Sequence, residues 1–300
     1  MLLHIPLISS APAAWPLGLP VLGGESAEAI FPGLQPAGTS GEFTLYRSGD
    51  WLLGSATGHA DESPEAAARR LYRDLLLAAA HKPLARIWNY VPQINAPGPA
   101  GLENYRAFCR GRSLAFQDAL GSAFTQKLSA ASAVGHDSKN LAVIFAASPH
   151  PVRHFENPRQ LPAYAYPAEH GPRAPSFARA TVVPRAAGRA DVFVSGTAAI
   201  AGHATLAPGD TAAQLAHTLE NLRAIGHACG VGETLAARTA AHRHLKVYLR
   251  HAGDYASIAA TLDAQLLAPG DRVSYLRSDI CRAALNVEIE VTLLDAPLLG

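Results

Sequence analysis

SYLRSDICRAALNVEIEVTLL, residues 274–294, is the stretch that decides the fold. Its last ten residues alternate between apolar and polar side chains, which is the period of a β-strand. One face of this strand is apolar, and the other carries Glu288 and Glu290. Two interpretations stay open at this point. The strand lies at a sheet edge with a solvated acidic face, or a carboxyl group points into a closed cavity, where burial suits it to act as a general acid.

The composition of the 300-residue chain indicates a folded protein with a sizeable core, since 49% of its residues are hydrophobic and 16% are charged. The net charge of +1 gives no global field for nucleic acid or an anionic membrane, so anion binding must come from local arginines. No run of about 18 apolar residues occurs, and we therefore expect no membrane-spanning helix.

The three cysteines, Cys109, Cys229 and Cys281, are far apart and form no CxxC pair. This spacing argues against a disulfide framework or a zinc ribbon and favours a reducing compartment. Residues 1–18 have an apolar start but lack a basic segment, and Pro6 interrupts the apolar run. We interpret them as an opening strand and loop rather than a signal peptide, and expect a cytoplasmic protein.

Both halves of the chain show the same predicted order of strand, strand, helix, strand, helix, strand. After loops with at most one strand up to residue 39, the first half has elements at residues 43–46, 51–56, 64–80, 84–91, 102–120 and 141–146. In the second half the located elements lie at residues 191–195, 211–229, 245–249, 254–266 and 285–294, with only one strand placed before the first helix. This order predicts an α+β fold of two related units, residues 1–148 and 149–300, each a mixed sheet with helices on one face.

A long segment between these units, residues 149–184, is dense in proline, tyrosine, arginine and histidine. Segments of this length without regular structure are usually functional or disordered. Aromatic residues among its arginines favour an ordered functional loop, and a solvated linker is the alternative.

Several familiar constellations are absent from the sequence, namely GxxxxGK[ST], GxGxxG, HExxH and GxSxG. His242 and His244 lie two residues apart on a predicted strand, but no third ligand is spaced to join them. We interpret them as surface histidines and predict no metal site. No histidine lies near Cys281 in sequence, so a core or pocket-lining thiol is the better interpretation than a nucleophile.

Arginines and tyrosines in two regions, together with Glu288 of the last strand, form the remaining candidate site. Tyr105 and Arg112 are seven residues apart on a predicted helix and point the same way, while Tyr166 and Arg179 lie in the middle segment. Arginine matches a carboxylate with two parallel hydrogen bonds, and a tyrosine hydroxyl adds a directional donor. This set suits a small dianion that needs a proton.

Five segments in order are specific enough to compare with known families. They are WNYVPQIN (88–95), ENYRAFCRGRSLAF (103–116), NPRQLPAYAYP with HGPRAPSFARA (157–180), SGTAAIAGH (195–203) and CRAALNVEIE (281–290). Together they resemble the chorismatase family, whose members convert chorismate to pyruvate and a cyclic carboxylic acid. The resemblance covers most of the chain from Trp88 onward and implies a fold similar to the RidA/YjgF-like (chorismate mutase-like) superfamily.

The resemblance also implies roles for single residues. Tyr105, Arg112, Tyr166 and Arg179 are then expected to bind the substrate, and Glu288 to be the general acid/base. It implies no metal or redox cofactor, and no nucleic-acid or membrane partner. Either a monomer of two fused units or a homotrimer is compatible with such a fold.

Product choice is predicted from Cys281, which looks like the cysteine of the hydroxybenzoate-forming branch and joins Glu288 in the predicted catalytic set. We therefore predict 3-hydroxybenzoate and pyruvate as products. His170 departs from the family, which usually has tyrosine before this Gly-Pro pair. The alternatives are hydrolysis to a dihydroxycyclohexadiene carboxylate, or formation of both 3- and 4-hydroxybenzoate. Outside the family, the alternative functions are those of a RidA-like imine or enamine hydrolase, or of a binding protein without activity.

Overall fold

The computed structural model describes residues 2–5, 15–28, 30–79, 82–98 and 101–299. Within these ranges, the first half of the chain folds into eight strands and two α-helices. The strands are β1 (Leu2–Ile5), β2 (Trp15–Gly24), β3 (Gln35–Ser40), β4 (Phe43–Ser48), β5 (Trp51–Thr57), β6 (Leu84–Pro92), β7 (Ala130–His136) and β8 (Ala142–Ala147). The helices are α1 (Pro64–Ala78) and α2 (Asn104–Leu120).

The second half adds eight strands and two α-helices over the same described ranges. The strands are β9 (Arg153–Phe155), β10 (Ala180–Pro184), β11 (Arg189–Ala198), β12 (Ile200–Ala201), β13 (Ala204–Thr205), β14 (His242–Leu249), β15 (Arg272–Arg277) and β16 (Val287–Pro297). The helices are α3 (Thr211–Ala228) and α4 (Tyr255–Gln265).

Two large mixed sheets share one strand order. The first runs β3-β4-β5-β8-β6-β7, and the second contains β9-β10-β11-β16-β14-β15 in the corresponding places. Each has one parallel pair, β6 with β7 and β14 with β15. The predicted α+β class with mixed sheets is therefore confirmed. Strands β1 and β2 extend the second sheet beyond β15, so residues 15–24 lie in the sheet of the other predicted unit. The boundary at residues 148/149 stays a prediction.

Helices cover the outer face of each sheet, and the inner faces of the two sheets meet. Leu71 of α1 packs with Phe145 of β8 in one core cluster, and Leu222 of α3 packs with Ile289 of β16 in another. A third cluster joins Trp88 of the first sheet to aromatic residues of the second. The layers are thus helix, sheet, sheet, helix, and apolar side chains fill part of the space between the sheets.

Strand β16 lies in the interior of the second sheet, between β14 and β11. Val287, Ile289 and Val291 face the helices, as the alternation predicts. Glu288 and Glu290 face the first sheet and are 4% and 2% exposed. The interpretation as an edge strand with a solvated acidic face is therefore wrong, because the second sheet pairs both edges of β16 and the first sheet covers its acidic face.

The predicted hairpin of β4 and β5 is confirmed, and so is the start of α1, where the Ser63 side chain accepts a hydrogen bond from the backbone N–H of Ala66. Residues up to 39 contain more strand than predicted, because β1, β2 and part of β3 form there. The predicted loop at residues 6–14 and the predicted helix end at Ala80 lie outside the described residues. No helix in the described part of the chain is both long and apolar enough to cross a membrane.

Strands β9, β10, β12 and β13 were not predicted, the first two because residues 149–184 were expected to form a loop without regular structure. Strands β7 and β15 were missed for separate reasons. The sequence of β7, AASAVGH, consists largely of small residues, which have weak strand preference, yet all seven are buried between neighbours. Strand β15 lies largely within the quoted stretch of residues 274–294, of which only the last ten residues were predicted to form a strand. His244 on β14 corrects a further prediction, since it is 1% exposed and its Nε2 lies 2.9 Å from Ser274 Oγ rather than at the surface.

Candidate active site

A cavity of about 460 Å³ opens between the two sheets and has walls from both halves of the chain. Such a volume is typical of a site for a small molecule. Helix α2, strands β7, β11 and β16, and the middle segment all contribute to the lining. The structure brings all six residues singled out by the sequence to this cavity: Tyr105, Arg112, Tyr166, Arg179, Cys281 and Glu288.

Glu288 lies on the wall of this cavity with its carboxyl group buried. Burial first, and the nearby carboxylate of Glu290 second, raise the pKa of Glu288 to about 8. Arg86 and Arg179 oppose this shift without overcoming it. The Cys281 thiol lies 3.9 Å from Glu288 Oε2, and burial raises its pKa too, so the thiol stays protonated. Glu288 therefore holds a proton at neutral pH and is suited to donate it.

Because the pKa of Glu288 is raised by folding, we expect the difference in stability between wild type and Glu288→Gln to depend on pH. The carboxyl ionises near its ordinary pKa of 4.5 when unfolded but near 8 when folded, so its stabilisation is complete below 4.5 and is lost as pH rises through 8. Between about pH 5.5 and about pH 8.5 the free energy of unfolding of the wild type is expected to fall by roughly 3 kcal/mol relative to that of the variant. Urea unfolding of both proteins at the two pH values measures this, and parallel pH profiles would contradict it.

A buried charge network surrounds the neighbouring Glu290. Its Oε2 pairs with Arg86 Nη2 at 2.7 Å, and its Oε1 accepts from Trp88 Nε1 at 3.1 Å and pairs with Lys246. Lys246 Nζ also contacts Glu28 Oε2 at 2.7 Å. The network contains two cations and two anions, and its members come from both sheets and the segment after β2.

The network explains why two carboxyl groups on one strand face titrate differently. Burial alone raises the pKa of Glu290, but Lys246 and Arg86 outweigh burial and hold it below its usual value. Lys246 also helps to hold the pKa of Glu28 at about 2, although burial acts to raise it. Glu288 pairs with no cation of the described residues and sits beside an ionised carboxylate, so it keeps its proton.

Two arginines of the cavity, Arg112 and Arg179, contact aromatic rings rather than carboxylates. The Arg112 guanidinium carbon lies 4.8 Å from the Phe108 ring centre, and Arg179 Nη2 donates to the Tyr166 hydroxyl at 2.8 Å. Within the described ranges neither arginine forms an ion pair, and the Nε atoms of both are buried without a hydrogen-bond partner. Buried N–H groups of this kind favour a ligand with anionic oxygens.

Three further lining residues were not predicted as site residues. The Arg282 guanidinium carbon lies 5.1 Å from the Tyr166 ring centre. Phe177 lies 5.1 Å from the Arg179 guanidinium carbon, and Gly196 faces Glu288. Arg282, Phe177 and Gly196 all occur in motifs quoted above, but nothing in a local pattern shows which residues of a motif line a cavity.

The fold and the cavity define an α+β protein in which two sheets enclose a protonated carboxyl group and unpaired arginines. The family model described as chorismatase FkbO/Hyg5-like, N-terminal, matches residues 32–147. A 3-hydroxybenzoate synthase of Streptomyces hygroscopicus is 37% identical over 241 residues, which are 78% of this chain and 70% of that protein. The chain belongs to the chorismatase family and is an enzyme.

Solved structures are also similar to this chain. The crystal structure of a chorismatase matches with a TM-score of 0.75 and 31% identity, over 86% of this chain and 80% of that one. A YjgF-family protein from Neisseria meningitidis matches 49% of this chain and 98% of its own length, with 23% identity and a TM-score of 0.33. The first match confirms the fold for most of the chain.

Proposed function

We propose that this enzyme converts chorismate to 3-hydroxybenzoate and pyruvate. The observation that carries the proposal is the protonated, buried Glu288 on the wall of a cavity that also holds unpaired arginines. The similarity to a relative named 3-hydroxybenzoate synthase supports the choice of substrate and product. The atoms of the two products together equal those of chorismate, so the reaction consumes no oxidant and no net water.

Arg112 and Arg179 hold the two carboxylates of chorismate in this proposal. Each guanidinium is fixed by aromatic contacts, and each has a buried N–H directed to no protein acceptor. Tyr166 fixes Arg179 through its hydroxyl, and Tyr105 lines the cavity from the first turn of α2. Holding both ends of the dianion restricts which of its carbon atoms can approach Glu288.

Glu288 donates its proton to the terminal methylene carbon of the enolpyruvyl ether. The proton converts the vinyl ether to an oxocarbenium ion, in which the bond from oxygen to the ring is weakened. The Glu288 carboxylate formed in this step lies near Glu290, and the two negative charges stabilise the cation. The bond from oxygen to the ring breaks as the oxygen of the neighbouring ring hydroxyl attacks the same ring carbon, which releases pyruvate, returns the hydroxyl proton to Glu288 and leaves an epoxide. The epoxide then opens at its other carbon, and loss of the proton from the attacked ring carbon with protonation of the oxygen gives 3-hydroxybenzoate.

The ring product separates the proposal from its alternatives. Purified protein is incubated with chorismate, and the ring product is identified by chromatography and mass spectrometry. We expect 3-hydroxybenzoate. A dihydroxycyclohexadiene carboxylate would overturn the subtype, since that product requires capture of a water molecule, and comparable amounts of 4-hydroxybenzoate would overturn exclusive 3-hydroxybenzoate formation.

Gly196→Ala is expected to lower turnover by about 100-fold, because misplacing a reacting group by about 1 Å has effects of this size. A Cβ atom at residue 196 would lie 2.0 Å from Glu288 Oε1, so the acid has to move. Gly253→Ala is the matched control, since a Cβ there meets nothing within 4 Å. Pyruvate release measured for both variants tests this, and equal rates would contradict the placement of the acid.

A further inference from the structure

A cluster of metal-binding side chains lies at the mouth of the cavity and is not used in the proposed reaction. Among the residues that the structure describes, Glu169, His170 and His203 form the group whose ligand atoms approach one another closely enough to share an ion. His170 Nε2 lies 3.0 Å from His203 Nδ1 and 3.4 Å from Glu169 Oε1. His203 Nδ1 lies 3.3 Å from the same oxygen.

These distances match the ligand set of a tetrahedral metal. Ligands bound at about 2.05 Å in a tetrahedron are separated by about 3.3 Å from one another. Two imidazoles and one carboxylate form a common ligand set for zinc, which leaves the fourth position open. The three side chains therefore already stand at coordination spacing around one point.

The positive charge of Arg282 and the imidazole ligands favour a transition metal over Mg²⁺ or Ca²⁺. Arg282 Nη1 donates to the backbone oxygen of His203 at 2.8 Å and so places a fixed positive charge beside the cluster. A cation held mainly by charge, such as Mg²⁺ or Ca²⁺, is disfavoured there, and it also prefers oxygen ligands. Imidazole nitrogens instead favour zinc and related transition metals, whose binding is strongly coordinative.

We propose that Glu169, His170 and His203 form a binding site for Zn²⁺ or a similar divalent transition metal at the entrance of the active-site cavity. Glu169 and His170 belong to the middle segment, whereas His203 lies in the turn between β12 and β13. Glu169 and His170 line the cavity. A bound metal joins the two segments across the entrance and slows exchange of substrate and product.

Calorimetric titration of the full chain with Zn²⁺ alone tests the site without any use of activity. We expect one equivalent to bind with a micromolar or lower dissociation constant, and His203→Ala to weaken it by at least about 100-fold. Glu169→Gln, at a side chain that is 64% exposed, removes one ligand without disturbing the core. His217→Ala is the matched control, because His217 pairs with Glu220 at 3.5 Å but meets no third ligand among the residues that the structure describes.

Intense visible absorption on titration with Co²⁺ adds a readout of tetrahedral geometry, and Mg²⁺ is expected not to compete. The proposal is overturned if Zn²⁺ does not bind saturably, or if His203→Ala and Glu169→Gln bind it as tightly as wild type. Because binding is measured directly, either result is independent of whether the protein acts on chorismate.

Discussion

Glu288→Gln is expected to lower the turnover of chorismate by at least about 1,000-fold, within the range that a positioned general acid contributes. Glutamine keeps the size of the side chain but has no proton that it can donate to carbon. Burial and Glu290 hold the carboxyl of the wild type in its protonated form up to about pH 8. The wild-type rate should therefore be constant below this pH and fall above it, as the acid ionises.

A coupled assay for pyruvate measures the loss, with Glu233→Gln, an exposed acid, as the control. Unfolding curves of both variants establish that the comparison is between folded proteins. If Glu288→Gln keeps more than about a tenth of the wild-type rate, a loss too small for a general acid, then another group supplies the proton.

Lys246→Met is expected to lower the free energy of unfolding by roughly 3–5 kcal/mol, the usual effect of removing one partner of a buried ion pair. The ammonium group of Lys246 contacts both Glu28 and Glu290, and its side chain is 2% exposed. Methionine fills a similar volume but leaves Glu290 paired with Arg86 alone and Glu28 without its ammonium partner.

Urea unfolding near pH 7 measures this loss, and Lys139→Met, at an exposed lysine, is expected to change stability by less than about 0.5 kcal/mol. The loss of stability in Lys246→Met should shrink at lower pH. The Lys246 ammonium no longer lowers the pKa of Glu28 and Glu290 in this variant, so both carboxylates are protonated more readily as the pH falls. A loss below about 1 kcal/mol at neutral pH would contradict the account of the network.

The alternation around Glu288 predicted the strand and the face of its side chain correctly, because strand period is a local property of the sequence. Whether that face meets water depends on strands β14 and β11 and on the opposite sheet, all distant in sequence, and the solvated alternative therefore stayed open. Tyr105 and Arg112 were placed on one helix face by spacing alone. Their meeting with Arg179 in one cavity was expected only through the family resemblance.

Longer-range features were beyond local patterns. The charge network joins Glu28, Arg86, Lys246 and Glu290, which lie on four separate segments, so no spacing connects them. Gly196 matters only because Glu288 approaches it from another strand. Small-residue strands such as β7 take their conformation from neighbouring strands rather than from their own preference.

Pyruvate release from chorismate by the purified wild-type protein is the most direct test of the proposed reaction. We predict one pyruvate for each chorismate consumed, together with one 3-hydroxybenzoate. A well-folded protein that releases no pyruvate from chorismate, and instead hydrolyses a small imine or enamine offered in parallel, would contradict the proposal and favour the alternative chemistry.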